Sequence, residues 1–249
     1  MSKLDITGRI HSVETFGSLD GPGIRYLLFL QGCPMRCIYC HNPDSWDLHS
    51  GTQMSVEEIM RDISRYRNFI MTGGITLSGG EPLMQPEFCE AIISESQKRG
   101  FHVAVDTSGS MPLEECKEAV ALADLLLLDI KALDEKLCKE MTGHSNRNPL
   151  AILDYREQIN KPVWIRHVLV PGYTLDKDKL TNLAQYLSKY KCIERIELLP
   201  FHKMGEYKWE QLNLPYKLYD TPAPTRDEID MAVSIMKKKI GRASCRERV

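Results

Sequence analysis

IRYLLFLQGCPMRCIYC, residues 24–40, joins a strongly apolar run to three closely spaced cysteines, and this stretch decides the fold. The run from Ile24 to Gln31 is typical of a buried strand, because short runs of aliphatic and aromatic residues favour that structure. The cysteines follow at once, where the strands of a parallel α/β sheet end and ligands gather. The stretch therefore predicts an α/β fold with a cysteine-based site at the carboxyl end of a strand.

The three cysteines have the spacing C-x3-C-x2-C, at Cys33, Cys37 and Cys40. Three thiolates are one ligand fewer than a tetrahedral zinc ion or a closed [4Fe–4S] cluster needs. A cluster held by three protein ligands leaves one iron open to a small molecule. The spacing thus indicates a metal centre that binds a reactant.

Other interpretations of the cysteine run compete with this one. A Cys3His zinc site with His41 is one, although such sites usually space their ligands as two separated pairs. Residues 37–41 also match the haem-attachment pattern C-x-x-C-H. That pattern belongs to exported proteins, and the N-terminal residues lack the apolar core of a signal peptide. A chance cluster of buried thiols is the remaining alternative.

The composition indicates one soluble globular domain, which we expect to span residues 1–240. The chain has 249 residues, of which 43% are hydrophobic and 27% are charged. No apolar stretch approaches the roughly 20 residues that span a bilayer. The net charge of −2 gives no electrostatic footprint for nucleic acid or anionic membrane.

The cysteine usage indicates a reducing compartment, so we expect a cytoplasmic protein. The chain has eight cysteines and no export signal, a combination that predicts reduced thiols. Four of them stand singly in helical or strand-like segments, where small buried hydrophobes are expected. These four are Cys89, Cys116, Cys138 and Cys192.

Strand-like and helix-like segments alternate along most of the chain. A capping box at Ser55–Glu58 predicts a helix that continues to about Ile70. Further helices are expected at 86–99, 112–122, 149–159 and 177–190, and the main strands at 24–31, 75–77, 102–106, 125–130, 163–170 and 195–199. Six strands separated by helices predict a parallel sheet, and on pattern alone a partial (β/α) barrel and an open doubly wound sheet fit equally well.

Two C-terminal segments depart from this alternation. Residues 203–225 are longer than most connections and contain three prolines, which predicts a surface lid. Residues 241–249 are polar and without periodicity, so we exclude this anomalous tail from the fold as a cloning or sequence-assembly artefact. Cys245 lies in the tail, and we expect it to be neither a ligand nor a nucleophile.

Every predicted strand delivers polar or glycine residues at its carboxyl end. Glycines allow a close approach of backbone to ligand. Carboxylate or carbonyl oxygens can hold an ammonium group, and Lys131 or Arg166 can pair with a carboxylate. Tyr39 and His202 could flank an aromatic base. An amino acid that chelates the open iron through its amine and carboxylate would use all of these groups. The strand ends are Gly32 and Cys33, Ser78–Pro82, Asp106–Gly109, Asp129–Lys131, Arg166 with Val170–Gly172, and Pro200–His202.

On these residues the chain resembles the radical S-adenosylmethionine enzymes, and more narrowly the activators of glycyl-radical enzymes. The cysteine motif alone specifies only the superfamily, whereas its combination with the other segments is more specific. The resemblance runs from about Gly8 to Ile240. The segments that carry it are 8–12, 20–25, 31–33, 39–43, Ser78–Pro82, 164–166, 199–202 and 207–209.

The resemblance implies a partial (β/α)6 barrel with a [4Fe–4S] cluster on Cys33, Cys37 and Cys40. S-adenosylmethionine would chelate the open iron. The residues implied to contact it are Tyr39, Cys40, His41, Gly79, Gly80, Glu81, Asp129, Ile130, Lys131, Arg166 and His202. Asp106, Thr107 and Asp129 match positions that hold a monovalent cation in similar enzymes, and Asp20 matches a position expected near the peptide substrate.

The resemblance also implies the reaction and its partners. A reduced cluster would cleave S-adenosylmethionine, and the 5′-deoxyadenosyl radical would abstract hydrogen from a glycine Cα of a partner protein. The cofactors carry the hard step, so no acid–base residue is expected. A flavodoxin or a ferredoxin would supply the electron.

The absence of a cysteine-containing insert narrows the choice of partner enzyme. No cysteine lies between Cys40 and Gly79, so the ferredoxin-like insert of several relatives is absent from this part of the sequence. This favours pyruvate formate-lyase as partner over the diol, glycerol or arylacetate enzymes. Three alternatives stay open: another glycyl-radical partner, a small-molecule radical enzyme such as one that makes a deazapurine precursor, and a non-catalytic zinc module.

Overall fold

The computed structural model describes residues 2–240 and 244–247, which form a single α/β domain. Within this domain the residues group into two compact units. The first unit comprises Met1–Pro34 and Ser45–Leu127, and the second comprises Met35–Asp44 and Leu128–Val249. Each unit is described by itself below.

The first unit is built on a mixed sheet whose central strands are parallel. Its strands are β1 (Thr7–Gly17), β2 (Arg25–Leu30), β3 (Thr52–Ser55), β4 (Gly74–Gly79), β5 (Val103–Thr107) and the start of β6 (Leu125–Asp129). They lie in the order β3-β1-β2-β4-β5-β6. β2, β4 and β5 run parallel, whereas β1 is antiparallel to both of its neighbours. The helices are α1 (Val56–Arg65), α2 (Arg67–Ile70), α3 (Pro86–Lys98) and α4 (Leu113–Leu122).

The second unit continues the alternation of strand and helix. It holds the strands β7 (Val163–Leu169), β8 (Ile193–Pro200) and β9 (Ser244–Glu247), in the order β7-β8-β9 and all parallel. Its helices are α5 (Glu135–Thr142), α6 (Arg147–Gln158), α7 (Lys177–Leu187), α8 (Glu206–Gln211) and α9 (Arg226–Ile240). The strands β2, β4, β5, β6, β7 and β8, each followed by helix, confirm the predicted α/β class with partial (β/α)6 organisation.

Several predicted elements differ from the observed ones. The helix expected to reach Ile70 breaks at Tyr66, where backbone angles leave the helical range, and becomes α1 and α2. Helix α5 was not predicted from the sequence. The expected lid at 203–225 contains α8, and the tail excluded from the fold contributes β9, which pairs with residues 195–198 of β8.

Local sequence signals account for the helix ends that position the site. The Ser55 hydroxyl accepts a hydrogen bond from the Glu58 amide, and the Glu58 carboxylate accepts one from the Ser55 amide, which is the predicted capping box. Gly143 ends α5 in the left-handed conformation. None of the helices in residues 2–240 combines the length and apolar character that crossing a bilayer requires.

Candidate active site

In the first unit, Cys33 lies just beyond β2 in a backbone held by neighbouring loops. The amide of Gly32 donates to the Ser45 carbonyl at 2.8 Å, and the amide of Cys33 donates to the Trp46 carbonyl at 3.4 Å. The Glu81 amide donates to the Gly32 carbonyl at 2.8 Å. Cys33 is therefore fixed beside the glycines that end β4, and its side chain is only 8% exposed.

Gly80 is a position at which only glycine fits. A Cβ atom built there would collide with the Gly32 carbonyl and would come within 3.1 Å of the Ser45 carbonyl. The Gly80 amide donates to the Leu30 carbonyl at 2.9 Å, so the backbone after β4 lies directly against the end of β2. The glycines at Gly79–Gly80 thus allow a close approach between two backbone segments of this chain, and the expected approach to a ligand stays a prediction.

The side chain of Glu81 does not face a ligand in this structure. It is fully buried, and its carboxylate accepts hydrogen bonds from the Thr107 hydroxyl at 2.6 Å and from the Leu83 amide at 3.0 Å. The Ser108 amide donates to it at 3.0 Å, and the hydroxyls of Ser108 and Ser110 donate as well. A carboxylate surrounded by donors in this way organises the loop after β5. The expected contact of Glu81 with S-adenosylmethionine stays a prediction.

The predicted cation ligands after β5 are engaged within the first unit. The Asp106 carboxylate accepts a hydrogen bond from the Ser78 hydroxyl at 2.8 Å. The Thr107 hydroxyl donates to Glu81 and accepts from the Gly109 amide at 2.9 Å. Both side chains are held in fixed orientations at the end of β5.

Asp20 lies in a loop that a buried arginine organises. The fully buried Arg25 donates from Nε to the Thr76 hydroxyl at 2.6 Å and from its guanidinium to the Pro22 carbonyl at 3.0 Å. The Thr76 hydroxyl donates in turn to the Asp20 carbonyl at 2.6 Å. Burial lowers the pKa of Arg25 to about 10, and the nearby Asp20 carboxylate opposes this change. Arg25 stays charged at neutral pH and shapes the Asp20 loop.

In the second unit, the loop with Cys37 and Cys40 is paired with the end of α5. The Arg36 amide donates to the Thr142 carbonyl and the Ile38 amide to the Met141 carbonyl, both at 2.9 Å. Cys37 is 8% exposed, whereas Cys40 is partly exposed. The unpredicted helix α5 therefore supports the cysteine loop.

Tyr39 and Lys131 form a buried polar group beside these cysteines. The Lys131 ammonium lies 5.6 Å from the centre of the Tyr39 ring and pairs with the Asp129 carboxylate at 2.8 Å. Burial opposes the charge on Lys131, but Asp129 and then Tyr39 outweigh it and hold the lysine pKa well above its usual value. Lys131 therefore keeps a positive charge that can pair with a carboxylate.

The hydroxyl of Tyr39 finds no hydrogen-bond partner among the residues that the structure describes. Burial is the main reason that the pKa of Tyr39 lies well above its ordinary value. A buried hydroxyl without a partner is costly, so this atom is suited to a ligand or an ordered water.

Arg166 lies on β7 and is committed to a buried ion pair. Its Nε atom lies 3.1 Å from the Glu197 carboxylate on β8, and both side chains are almost fully buried. The Arg195 guanidinium reaches the same carboxylate at 3.7 Å. The sequence predicts Arg166 but not its partner Glu197, which only the β7–β8 register reveals.

The rings of His41 and His202 lie against each other in the second unit, with their planes tilted by 34°. Their ring centres are 4.2 Å apart, and the Nε2 atom of His41 donates to the His202 carbonyl at 3.1 Å. Loss of hydration lowers the pKa of both imidazoles, and for His41 the proximity of His202 adds to this effect. The two rings are therefore neutral at neutral pH and offer flat surfaces to an aromatic base.

Iron–sulfur clusters take thiolate ligands, and the C-x3-C-x2-C motif offers three cysteines for this purpose. Cys33 and Cys37 are buried, which suits a centre that must be sheltered from water and oxygen. Within residues 2–240 and 244–247, no three His, Cys, Asp or Glu side chains surround a point where one metal ion could bind. In a [4Fe–4S] cluster each thiolate binds a different iron, so the cysteines need not converge on a single point.

Two other residues of the second unit support the cysteine loop and were not predicted from the sequence. The Trp209 indole donates to the Cys40 carbonyl at 2.8 Å, and the Lys208 ammonium binds Asp44 at 3.0 Å. The only signal for them was that residues 207–209 carry part of the family resemblance. The cysteines predicted as small hydrophobes, Cys89, Cys116, Cys138 and Cys192, are all buried.

Comparison with known proteins gives a consistent picture. A family model described as the radical SAM superfamily matches residues 27–184. A pyruvate formate-lyase-activating enzyme of Streptococcus mutans is 43% identical over 240 residues, which cover 93% of this chain and 91% of that protein. The pyruvate formate-lyase 1-activating enzyme of Escherichia coli K12 is 37% identical over 239 residues, covering 94% and 97%.

A solved structure agrees with these sequence relatives. It is a domain of a pyruvate-formate lyase-activating enzyme from Bacteroides vulgatus, which superposes with a TM-score of 0.59 at 25% sequence identity. The superposition covers 71% of this chain and 99% of that domain. Sequence and structure comparisons therefore point to the same group of proteins.

Proposed function

The chain belongs to the radical SAM superfamily and, within it, to the pyruvate formate-lyase-activating enzymes, and on this premise we propose that it installs a glycyl radical on pyruvate formate-lyase. One observation carries the proposal. The 43% identity extends over 93% of the chain, so it includes the cysteine motif and the strand ends that carry the polar residues. The buried thiols and the charged Lys131 are the features such an enzyme requires.

The cofactors supply the difficult chemistry. When bound, the cluster would supply the single electron that splits S-adenosylmethionine into methionine and a 5′-deoxyadenosyl group able to take a hydrogen atom from a glycine Cα of the partner. Cys33, Cys37 and Cys40 would each hold one iron of the cluster. The protein also orients the cofactor and keeps water away, for which no general acid or base is needed.

We assign the cofactor contacts by chemistry. Lys131 is charged and mostly buried, so it suits the carboxylate of S-adenosylmethionine. The backbone of Gly79–Gly80 suits its ammonium group, because carbonyls at a strand end accept hydrogen bonds. Tyr39, His41 and His202 offer aromatic surfaces to the adenine base. Asp129, Ile130 and Arg166 complete the proposed set, with Arg166 acting through its pair with Glu197.

Three further assignments belong to the same proposal. Asp20 would bind the peptide around the target glycine, because its loop is held in shape by Arg25. Asp106, Thr107 and Asp129 would hold a monovalent cation through their oxygen atoms. A flavodoxin or a ferredoxin would supply the electron, and the reaction would take place in the cytoplasm, where thiols stay reduced.

An electron paramagnetic resonance experiment tests the proposed reaction. The protein is reconstituted with iron and sulfide without oxygen, reduced, and incubated with S-adenosylmethionine and pyruvate formate-lyase. We expect a glycyl radical doublet, one methionine per radical formed, and no doublet when the target glycine of the partner is replaced by alanine.

The cleavage products distinguish the alternatives. If S-adenosylmethionine is cleaved and no glycyl radical forms, pyruvate formate-lyase is not the partner. A panel of other glycyl-radical enzymes would then identify a different partner, and failure of the whole panel would favour a small-molecule substrate. Absence of both iron and cleavage would refute the proposal altogether.

A further inference from the structure

Helix α8 contacts the cysteine loop through residues other than those that pair with α5. Its Trp209 is 6% exposed, and the indole Nε1–H donates to the Cys40 carbonyl at 2.8 Å. The two residues are 169 positions apart in the sequence. This part-buried hydrogen bond directly links α8 to the last cysteine of the motif.

Lys208, the neighbouring residue on α8, binds the same loop further along. Its ammonium donates to the Asn42 side-chain carbonyl at 2.9 Å and to both oxygens of the Asp44 carboxylate at 3.0 and 3.1 Å. An ammonium with three charge-assisted partners fixes the position of the segment that it binds. Lys208 is half-buried, so solvent screens this group less than it would a surface pair.

Gly205 brings the start of α8 against His41. A Cβ atom built on Gly205 would lie 2.6 Å from the His41 Cα atom, so any larger residue would push the loop away. The His202 carbonyl accepts a hydrogen bond from His41 at 3.1 Å. Residues 40–44 are thus held at several points by residues 202–209.

The backbone of Cys40 is fixed on both sides of its Cα atom. Its amide donates to the Cys37 carbonyl at 3.0 Å, and its carbonyl accepts from Trp209. Since these two hydrogen bonds define the peptide planes on either side, only rotation about the Cα–Cβ bond is left to the thiol.

We propose that Trp209 and Lys208 are positioning residues that hold the segment Cys40–Asp44 and so place the Cys40 thiolate for binding to the cluster. The inference rests on the proposed function, because it requires the cluster. It goes beyond that function because it assigns to α8 the positioning of a cluster ligand. Neither the cysteine motif nor the proposed cofactor contacts assign this role. Cys40 is the most exposed of the three cysteines. The iron that it would bind therefore depends most on a thiolate held in a fixed position.

Loss of iron from the loaded protein tests this role. Trp209→Phe keeps an aromatic ring and removes only the indole donor. The matched control is Trp164→Phe, because Trp164 is also 6% exposed and also donates from its indole, to Glu194 at 3.3 Å. We expect a ferrous chelator, without S-adenosylmethionine present, to remove iron about fivefold faster from Trp209→Phe than from wild type, as one lost hydrogen bond allows. The control should match wild type.

A spectroscopic measurement separates positioning from general stability. The paramagnetic resonance spectrum of the reduced cluster depends on the geometry of its thiolate ligands, so we expect Trp209→Phe to change the line shape and Trp164→Phe to leave it unchanged. Lys208→Met should behave like Trp209→Phe. Lys208→Arg should restore the wild-type spectrum, because it keeps the charge and the donors.

The outcomes separate this inference from the proposed function. Equal iron release and identical spectra for the two tryptophan variants would overturn the role of Trp209. If Trp209→Phe does not fold, the comparison of Lys208→Met with Lys208→Arg decides, and equal behaviour of these two would overturn the role of Lys208. A wild-type protein that binds no cluster would instead contradict the proposed function.

Discussion

The carboxylate of Glu81 is buried among donors from Thr107, Ser108, Ser110 and Leu83. A buried charge without partners would be strongly destabilising, and here hydrogen bonds replace the lost hydration. In this structure the residue joins the end of β4 to the loop after β5. The contact with S-adenosylmethionine expected from its motif stays a prediction.

Replacement of Glu81 by glutamine tests this organising role. Glutamine keeps the size but turns an acceptor oxygen into a donor that faces other donors. We expect the free energy of unfolding to fall by about 3 kcal/mol, as for hydrogen bonds to a buried charge. Urea unfolding of the cluster-free protein measures this free energy. Glu135→Gln is the control. Glu135 also accepts a serine hydroxyl, from Ser145, but its side chain is 36% exposed and pairs with Lys139, so it should lose less than about 1 kcal/mol. Equal losses would contradict the role.

His167 gives the protein a defined pH dependence. The residue is buried on β7 with Nδ1 donating to the Ile130 carbonyl at 2.6 Å, and burial lowers its pKa below the ordinary value of 6.5. The unfolded chain therefore takes up a proton first as the pH falls. The contribution of His167 to the free energy of unfolding is complete above pH 6.5. It decreases below that pH by up to about 1.4 kcal/mol per pH unit.

The variant His167→Asn isolates this contribution. Asparagine can still donate to the Ile130 carbonyl but does not titrate. We expect its free energy of unfolding, measured in urea from pH 8 to pH 5 in steps of about one unit, to decline less steeply than that of the wild type. Parallel curves for the two proteins would show that His167 is not the titrating group.

Among the elements, α1 depends on its capping box. We expect Ser55→Ala to lower the free energy of unfolding by about 1 kcal/mol, because the amide of Glu58 loses its acceptor. Ser64→Ala in the same helix is the control. The Ser64 hydroxyl only donates to the Met60 carbonyl one turn back, so its removal should change stability little. A similar loss in both variants would mean that the cap contributes nothing specific.

Only the cysteines of the cysteine loop should be required for binding of the cluster. We expect Cys37→Ala to abolish iron and sulfide binding after anaerobic reconstitution, because two thiolates do not hold the cluster. Cys192→Ala should bind iron like the wild type. Cys192 is buried away from the motif, and burial raises its pKa to about 12, so it is not a thiolate at neutral pH. Equal iron content in the two variants would refute the assignment.

For the whole molecule, cofactor binding should appear as thermal stability. A ligand present at about 100 times its dissociation constant stabilises the folded state by about 2.7 kcal/mol, which for a chain of this size raises Tm by about 5–10 °C. We expect S-adenosylmethionine to produce this shift only in the cluster-loaded protein. Cys37→Ala should show none, and a shift in that variant would mean that the cofactor binds without the cluster.

The strands could be predicted closely from the sequence because burial leaves a local signal. The apolar run from Leu125 predicts a strand to Ile130, and β6 ends at Asp129. Helix α5 could not be predicted because its segment is short and mostly polar. The helix is stabilised by the packing of Cys138 and Met141, which are buried. The break at Tyr66 and the strand in the tail likewise depend on tertiary context, which local pattern does not contain.

The sequence predicts which residues belong to the candidate site. It does not predict which of their side chains contact one another. Residue type identifies Lys131 and Arg166 as charges at strand ends. The partner of Arg166 is Glu197, which is set by the register of β7 and β8. The contact of Trp209 with Cys40 joins distant parts of the chain, and no periodicity encodes such a pair.

Tyr39 offers one practical consequence. Its ring is buried beside a permanent positive charge, and its hydroxyl meets no partner among the residues described here. A fluorine atom placed on that ring would sense any change in its electrical surroundings. Fluorine magnetic resonance of 3-fluorotyrosine at this position would therefore report arrival of the sulfonium donor in real time, without a turnover assay.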